Sequence, residues 1–306
     1  MYKRQDNIFI DRITLTYNPN TEADKSFILD AVKEEGWRET WIEKKGSKSS
    51  YQYKVSCSLK FPDKDFVHDN TATLEMMPRY PKSTPFIRLD YCPSKISFLE
   101  LETCLESIFP HGINGIFTTG TVSRVDIALD IVGVIPMQVI LDYPKTRHRE
   151  NHLESGILET VYIGTDTGVN QLVMYDKTAE MKAKKLKIKP MSDYQFPTTS
   201  ITRIEMRHEP KKTKFNQLHK LPNLFNPLLM ILTPLNIKKD TDLRHKRDLS
   251  VLEGVRHTSK GLTKKERAAF FEKIEQLWLP DFIDLKKLWS TLPQALLQVY
   301  PHAKFL

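Results

Sequence analysis

Cysteine is scarce in this chain: three in 306 residues, Cys57, Cys92 and Cys104. An odd number without zinc-type spacing argues against a disulfide framework or a zinc ribbon, and a reducing cytoplasm is the simplest compartment for it. Long apolar runs are absent as well. None approaches membrane-spanning length, and the start, MYKRQDNIFIDRITL, carries no signal-peptide core or cleavage site, so no membrane is expected as a partner. Neither GxxxxGK[ST] nor GxGxxG occurs, which removes support for a nucleotide-cradling enzyme. Nine histidines are present, but no His-x-His or HExxH; His148 and His152 fall in a charged stretch that reads as solvated loop. Acid is in deficit, with 38 Asp and Glu against 46 Lys and Arg, a net charge of +8 and a pI of about 9.1. That excess points towards a polyanion partner.

What is present is strand alternation. IDRITLTYN, YQYKVSCSLKF, TATLEMMPRY, FIRLDYCPSKI, SRVDIALDIVGVI, ETVYIG, NQLVMYD and ITRIEMRHEP read as strands. SFILDAVKEEGW has helical spacing. Ser97 and Glu100 form a capping box before a second helix with Phe98, Leu101, Leu105 and Ile108 on one face. Residues 142–157 are polar and read as loop or ribbon. After about residue 212 leucine, proline and basic residues dominate, strand alternation disappears, and helices are expected at 263–278, 285–289 and 293–299. The expected fold is α+β: a largely antiparallel sheet with flanking helices, with a possible internal duplication, plus a C-terminal helical region. Residues 1–212 form the expected catalytic domain, and 213–306 a helical, basic region for DNA binding or dimerisation.

One signature recurs in three of the strands: a basic residue, an apolar one, then an acid. It reads Arg88-Leu89-Asp90, Arg124-Val125-Asp126 and Arg203-Ile204-Glu205. Residues two apart in a strand share a face, so each copy sets a cation and a carboxylate on one side and apolar neighbours on the other. Asp130 shares the face of Asp126. Two readings follow: cross-strand ion pairs on a solvated face, or carboxylates converging on a divalent cation such as Mg2+ or Mn2+. Tyr175, in NQLVMYDKTAE, lies between the second and third copies. It is either an amphipathic residue at the core edge or a nucleophile. Lys177, two residues on, favours the phenolate form that attacks, and Glu180 follows five residues on. Basic residues cluster at Lys182, Lys184, Lys185 and Lys187. The segment 238–267 holds ten Lys or Arg against five acids, Arg244, Lys246 and Arg247 among them; both stretches are candidate DNA-backbone surfaces.

In this order, four blocks resemble the Rep_trans family of rolling-circle replication initiators, over residues 8–210. Arg88-Leu89-Asp90-Tyr91-Cys92-Pro93-Ser94-Lys95 is similar to the family's RVEFNPNK strand, and Ser123–Ile131 to TRLDLAFDF. Tyr162-Ile163-Gly164, leading to Val173-Met174-Tyr175-Asp176-Lys177-Thr178-Ala179-Glu180, resembles the YFG…IRIYNKKQE block, and Thr202–Arg207 resembles WRVEIEL. Asp176 stands where the family has asparagine, and Val173 where it has a basic residue.

The resemblance implies a metal-dependent nicking and strand-transfer enzyme, usually a homodimer. Tyr175 would be the nucleophile and Lys177 would offset charge beside it. Asp90 and Asp126 would hold Mg2+ or Mn2+, with Glu205 and Asp130 as further ligands. Arg88, Arg124 and Arg203 would orient carboxylates or grip phosphates. The substrate would be a single-stranded loop at a replication origin. A host helicase and polymerase would be partners, because no ATP-binding motif is visible. Two alternatives stand beside this reading: a relaxase that nicks the transfer origin of a mobile element, and a non-catalytic DNA-binding replication regulator.

Overall fold

The structure is a computed structural model. It describes residues 7–33, 40–44, 50–57, 72–106, 108–109, 112–136, 139–142, 148–152, 158–165, 168–183, 200–226, 228–232 and 283–305. The helix expected over 263–278 lies outside the described residues, as do Lys184, Lys185, Lys187, Arg244, Lys246 and Arg247. The chain forms two compact units, each drawn from separate stretches of sequence. One comprises Ile8–Ala128, Arg207–Pro222 and Ser290–Leu306; the other comprises Met1–Asn7, Leu129–Met206 and Asn223–Trp289. Residues on both sides of the composition change near 212 thus contribute to each unit.

In the first unit the strands are β1 (Phe9–Tyr17), β2 (Thr40–Lys44), β3 (Tyr51–Cys57), β4 (Ala72–Pro78), β5 (Ile87–Tyr91) and β6 (Thr121–Val132), whose last residues enter the second unit. Their order is β2-β3-β4-β5-β1-β6, and the neighbours pair antiparallel. The period-2 pattern decides which face is buried. Ile13, Leu15, Leu74, Met76, Ile87, Leu89, Val125 and Ile127 are all at most 1 % exposed. Helices α1 (Glu22–Lys33), α2 (Phe98–Leu105) and α3 (Asn114–Thr118) belong to this unit.

The capping box at α2 is formed: Glu100 N–H donates to Ser97 Oγ, and Ser97 N–H to Glu100 Oε2. Strand β5 ends at Tyr91, before Cys92 and Pro93, where proline supplies no ladder donor. A 3₁₀ turn, Phe215–Lys220, supplies Phe215, whose ring meets Phe117 and Tyr300 edge-on. Phe117 and Tyr300 stack with centroids 4.8 Å apart. The chain's last segment therefore packs in the core of the unit that contains its first strand.

The second unit holds β7 (Val139–Asp142), β8 (His148–His152), β9 (Leu158–Ile163), β10 (Asn170–Asp176), β11 (Ile201–His208, to Met206) and β12 (Leu229–Leu232). The order is end of β6, β11, β10, β9, β8, and β7 pairs antiparallel with β12. Of the two readings of 142–157, loop or ribbon, residues 148–152 take the second: they form β8 and pair antiparallel with β9, so His148 and His152 stand in a strand and not in a loop. Strand β12 is a correction, since alternation was expected to end near 212. Gly164 bends the chain after β9 with φ of +103°, and a Cβ there would sit 2.8 Å from the Asn170 carbonyl oxygen. Helices α4 (Lys177–Ala183) and α5 (Leu285–Trp289) lie in this unit, while α6 (Leu292–Val299) belongs to the first. None of the described helices is long and apolar enough to cross a membrane.

Candidate active site

Strands β10 and β11 and the end of β6 carry the polar residues of the second unit. Arg203 and Glu205 share one face of β11 and alternate with Thr202, Ile204 and Met206, the whole stretch from Ile201 to Met206 being buried, and Asp130 alternates with Leu129 and Ile131. Tyr175 stands near the end of β10, half-buried. Its hydroxyl donates to Glu205 Oε1 at 2.5 Å. Glu205 is 3 % exposed. A charge-assisted bond of this kind contributes about 1.5–3 kcal/mol, and a buried carboxylate left without it loses more.

Arg203 is held by Asp130, through Nε to Oδ1 at 2.7 Å and Nη2 to Oδ2 at 2.8 Å. Lys177, the first residue of α4, bonds Glu180 at 2.5 Å, and its Nζ lies 5.7 Å from the centroid of the Tyr175 ring. That is within cation–π range.

Burial, more than any other cause, raises the pKa of the Tyr175 phenol above its ordinary value of 10.0. The Glu205 charge adds to it, Arg203 opposes it, and the hydrogen bond to Glu205 and the charge of Glu180 raise it further. The phenol is thus protonated at neutral pH, and an attack through its oxygen needs a base in contact with the proton. Glu205 is in that contact.

Asp176, at the position where the family has asparagine, caps α4. Its Oδ1 accepts the Ala179 N–H at 2.9 Å, and a carboxylate at a helix N-terminus also meets the positive end of the macrodipole. Lys182 lies on the same helix.

The other signature residues lie in the first unit, on the polar face of β4, β5, β1 and β6. Asp90 accepts two bonds from Arg12, from Nε at 2.7 Å and from Nη2. The Thr14 hydroxyl lies 3.5 Å from the same carboxylate. Asp126, 2 % exposed, accepts Arg124 Nε at 2.8 Å and Nη2 at 2.7 Å. Arg88 pairs with Glu75 across β4 and β5 at 2.9 Å, its directly opposite residue in the register. Of the three signature copies, only Arg124 and Asp126 bond each other. Arg12 and Glu75 are absent from the sequence-based site. Their one signal was a charge in the polar register of an alternating strand, Arg12 beside Ile13 and Glu75 beside Leu74.

The four carboxylates expected to hold a metal each have a partner from the protein itself: Arg12 for Asp90, Arg124 for Asp126, Arg203 for Asp130 and the Tyr175 hydroxyl for Glu205. Among the described residues, no group of three or more His, Cys, Asp and Glu side chains is arranged to hold a metal ion. Three of these carboxylates are already neutralised by guanidinium, so a resident divalent ion does not fit the donor set as arranged.

No protein-family model matches the chain, and no curated protein matches it. Among solved structures it is similar to a rolling circle replication initiator protein from Geobacillus stearothermophilus, at 15% identity and a TM-score of 0.39. The similarity covers 82% of this chain and 97% of that one.

Proposed function

We propose that the protein nicks one DNA strand at an origin and starts rolling-circle replication, with Tyr175 as the nucleophile. The observation that carries this reading is the 2.5 Å bond from the Tyr175 hydroxyl to buried Glu205, with Lys177 beside the same ring. A tyrosine held on a carboxylate is a nucleophile paired with its base.

The Tyr175 oxygen attacks the scissile phosphorus, and its proton passes to Glu205. The bond from phosphorus to the 3′ oxygen breaks, and that oxygen takes a proton from water. The 5′ phosphate stays on Tyr175, and the free 3′ hydroxyl is a primer. Phosphotyrosine conserves the energy of the phosphodiester, so a later strand can displace the tyrosine and close the circle.

Arg203, fixed by Asp130, supplies positive charge in the same unit, and Lys177 offsets charge beside the ring. No step runs through Mg2+ or Mn2+, because the donor set does not fit a resident ion. The polyanion partner follows from the net charge of +8.

The test is incubation of the full chain with supercoiled plasmid carrying the DNA that flanks its own gene. Conversion to open circles with a protein-linked 5′ end supports the reading. DNA that is bound but never cut supports the non-catalytic regulator instead.

A further inference from the structure

The polar face of the first unit has an asymmetry in how its charges are exposed. In each of its ion pairs among the described residues the arginine is more exposed than the acid: 40% against 12% for Arg12 and Asp90, and 31% against 3% for Arg124 and Asp126. Arg88 and Glu75 follow the same rule, 43% against 13%. Each carboxylate lies beneath its guanidinium, so the face presents cations to solvent.

Two of these arginines are also neighbours. In the β1–β6 ladder Arg12 lies opposite Asp126 and Arg124 opposite Thr14, which makes Arg12 and Arg124 a diagonal pair. Diagonal neighbours are about 7–8 Å apart. Both use the same edge for their carboxylate, Nε and Nη2. A guanidinium has five N–H donors, so each retains its Nη1 edge. The planar fork that remains suits a phosphate oxygen. Each guanidinium is already fixed in place by its carboxylate, so an anion that binds there need not order a long side chain.

We infer that Arg12 and Arg124 form a clamp for one phosphodiester group of a single-stranded polynucleotide on the first unit. The clamp belongs to the first unit, and Tyr175 and Glu205 belong to the second. Asp90 and Asp126 are its positioning residues, which bind no substrate and hold the two forks. The inference rests on the polynucleotide reading proposed above.

The test measures the anisotropy of a fluorescein-labelled single-stranded oligothymidylate titrated with full-length protein at several salt concentrations. Two double variants, Arg12→Gln/Asp90→Asn and Arg124→Gln/Asp126→Asn, remove one fork each without leaving a buried carboxylate unpaired. Both keep the net charge, so a loss cannot be assigned to overall electrostatics. Lys25→Gln/Glu22→Gln, an ion pair of α1 in the same unit and also neutral overall, is the control. Each clamp variant is expected to bind about tenfold or more weaker, with a salt slope lower by about 0.7 for a lost single-strand phosphate contact. The control is expected within about twofold of wild type.

Arg12→Lys keeps the charge and loses the planar fork; it is expected between wild type and the double variant. It also serves as the readout should a double variant fail to fold. Clamp variants that melt and bind like wild type overturn the inference, as does a control that loses as much. If wild type binds and the variants match it, the clamp alone falls. If wild type binds no oligonucleotide, the polynucleotide reading falls and the clamp with it.

Discussion

The Tyr175 hydroxyl donates to Glu205 Oε1 at 2.5 Å, and Glu205 is buried. One bond therefore joins the proposed nucleophile to the carboxylate proposed as its base.

Glu205→Gln keeps the size of the side chain and an oxygen that accepts the Tyr175 hydroxyl, and removes the base. Nicking in single turnover is expected to fall by about 10²–10⁴, the usual contribution of a general base, with DNA affinity unchanged. Glu205→Asp, which withdraws the carboxylate by one methylene, is expected to retain more activity than the glutamine variant. Equal rates for wild type and Glu205→Gln would leave Glu205 a structural residue.

Burial and the Glu205 charge raise the folded-state pKa of Tyr175 above the ordinary 10.0. A group raised on folding contributes stability that is fully present below its unfolded pKa, here about 10, and is lost as pH rises through the folded value. The stability of wild type relative to Tyr175→Phe is therefore expected to fall above about pH 10 in urea unfolding curves. A phenolate absorbance titration of the two proteins should differ by one tyrosine that ionises above the ordinary range. Burial also raises Tyr51, to about 12, and Tyr91 higher, but both are common to the two proteins and cancel.

Asp176→Ala removes the cap of α4 and is expected to cost about 1 kcal/mol, with faster hydrogen exchange at Ala179. Asp176→Asn, which restores the residue type of the resembling family, keeps a capping oxygen. It is expected to stay within about 0.5 kcal/mol of wild type. A larger loss on the asparagine change would point to a role for the charge beyond the helix end.

Removal of Arg12 frees a carboxylate that a guanidinium now neutralises. Arg12→Gln is expected to bind Mn2+ more tightly than wild type in calorimetric titration, and Arg12→Gln/Asp90→Asn to lose that gain. Strong Mn2+ binding by wild type that Arg12→Gln leaves unaltered would mean the ion is held elsewhere.

Much of the fold was legible because its signals are local. The Ser97 capping box, the stop of β5 at Cys92-Pro93 and the alternation of β6 each rest on neighbours within a few residues. Strand β8, with the sequence HRENH, had no such signal; its backbone pairing with β9 makes it a strand. Strand β12, LMIL, is a four-residue apolar run that period alone cannot separate from helix.

The candidate site divides in the same way. Tyr175 and the signature acids stood out by spacing, but their partners did not. Arg12 lies 78 residues from Asp90 and Arg203 lies 73 from Asp130. Those distances explain why cross-strand ion pairs could be expected while their partners could not be named: register pairs Arg88 with Glu75 and leaves Asp90 to Arg12. The job of Asp176 as a helix cap depends on where α4 begins, which its neighbours in sequence do not show.

The most direct test of Tyr175 as nucleophile is the covalent intermediate itself. Full-length protein is incubated with supercoiled plasmid that carries the DNA flanking its own gene, then denatured and digested, and the peptides that retain nucleotide are sequenced by mass spectrometry. The account predicts one modified peptide, with the nucleotide 5′ phosphate on Tyr175, and no adduct from Tyr175→Phe. An adduct on another residue, or one that survives Tyr175→Phe, would contradict it.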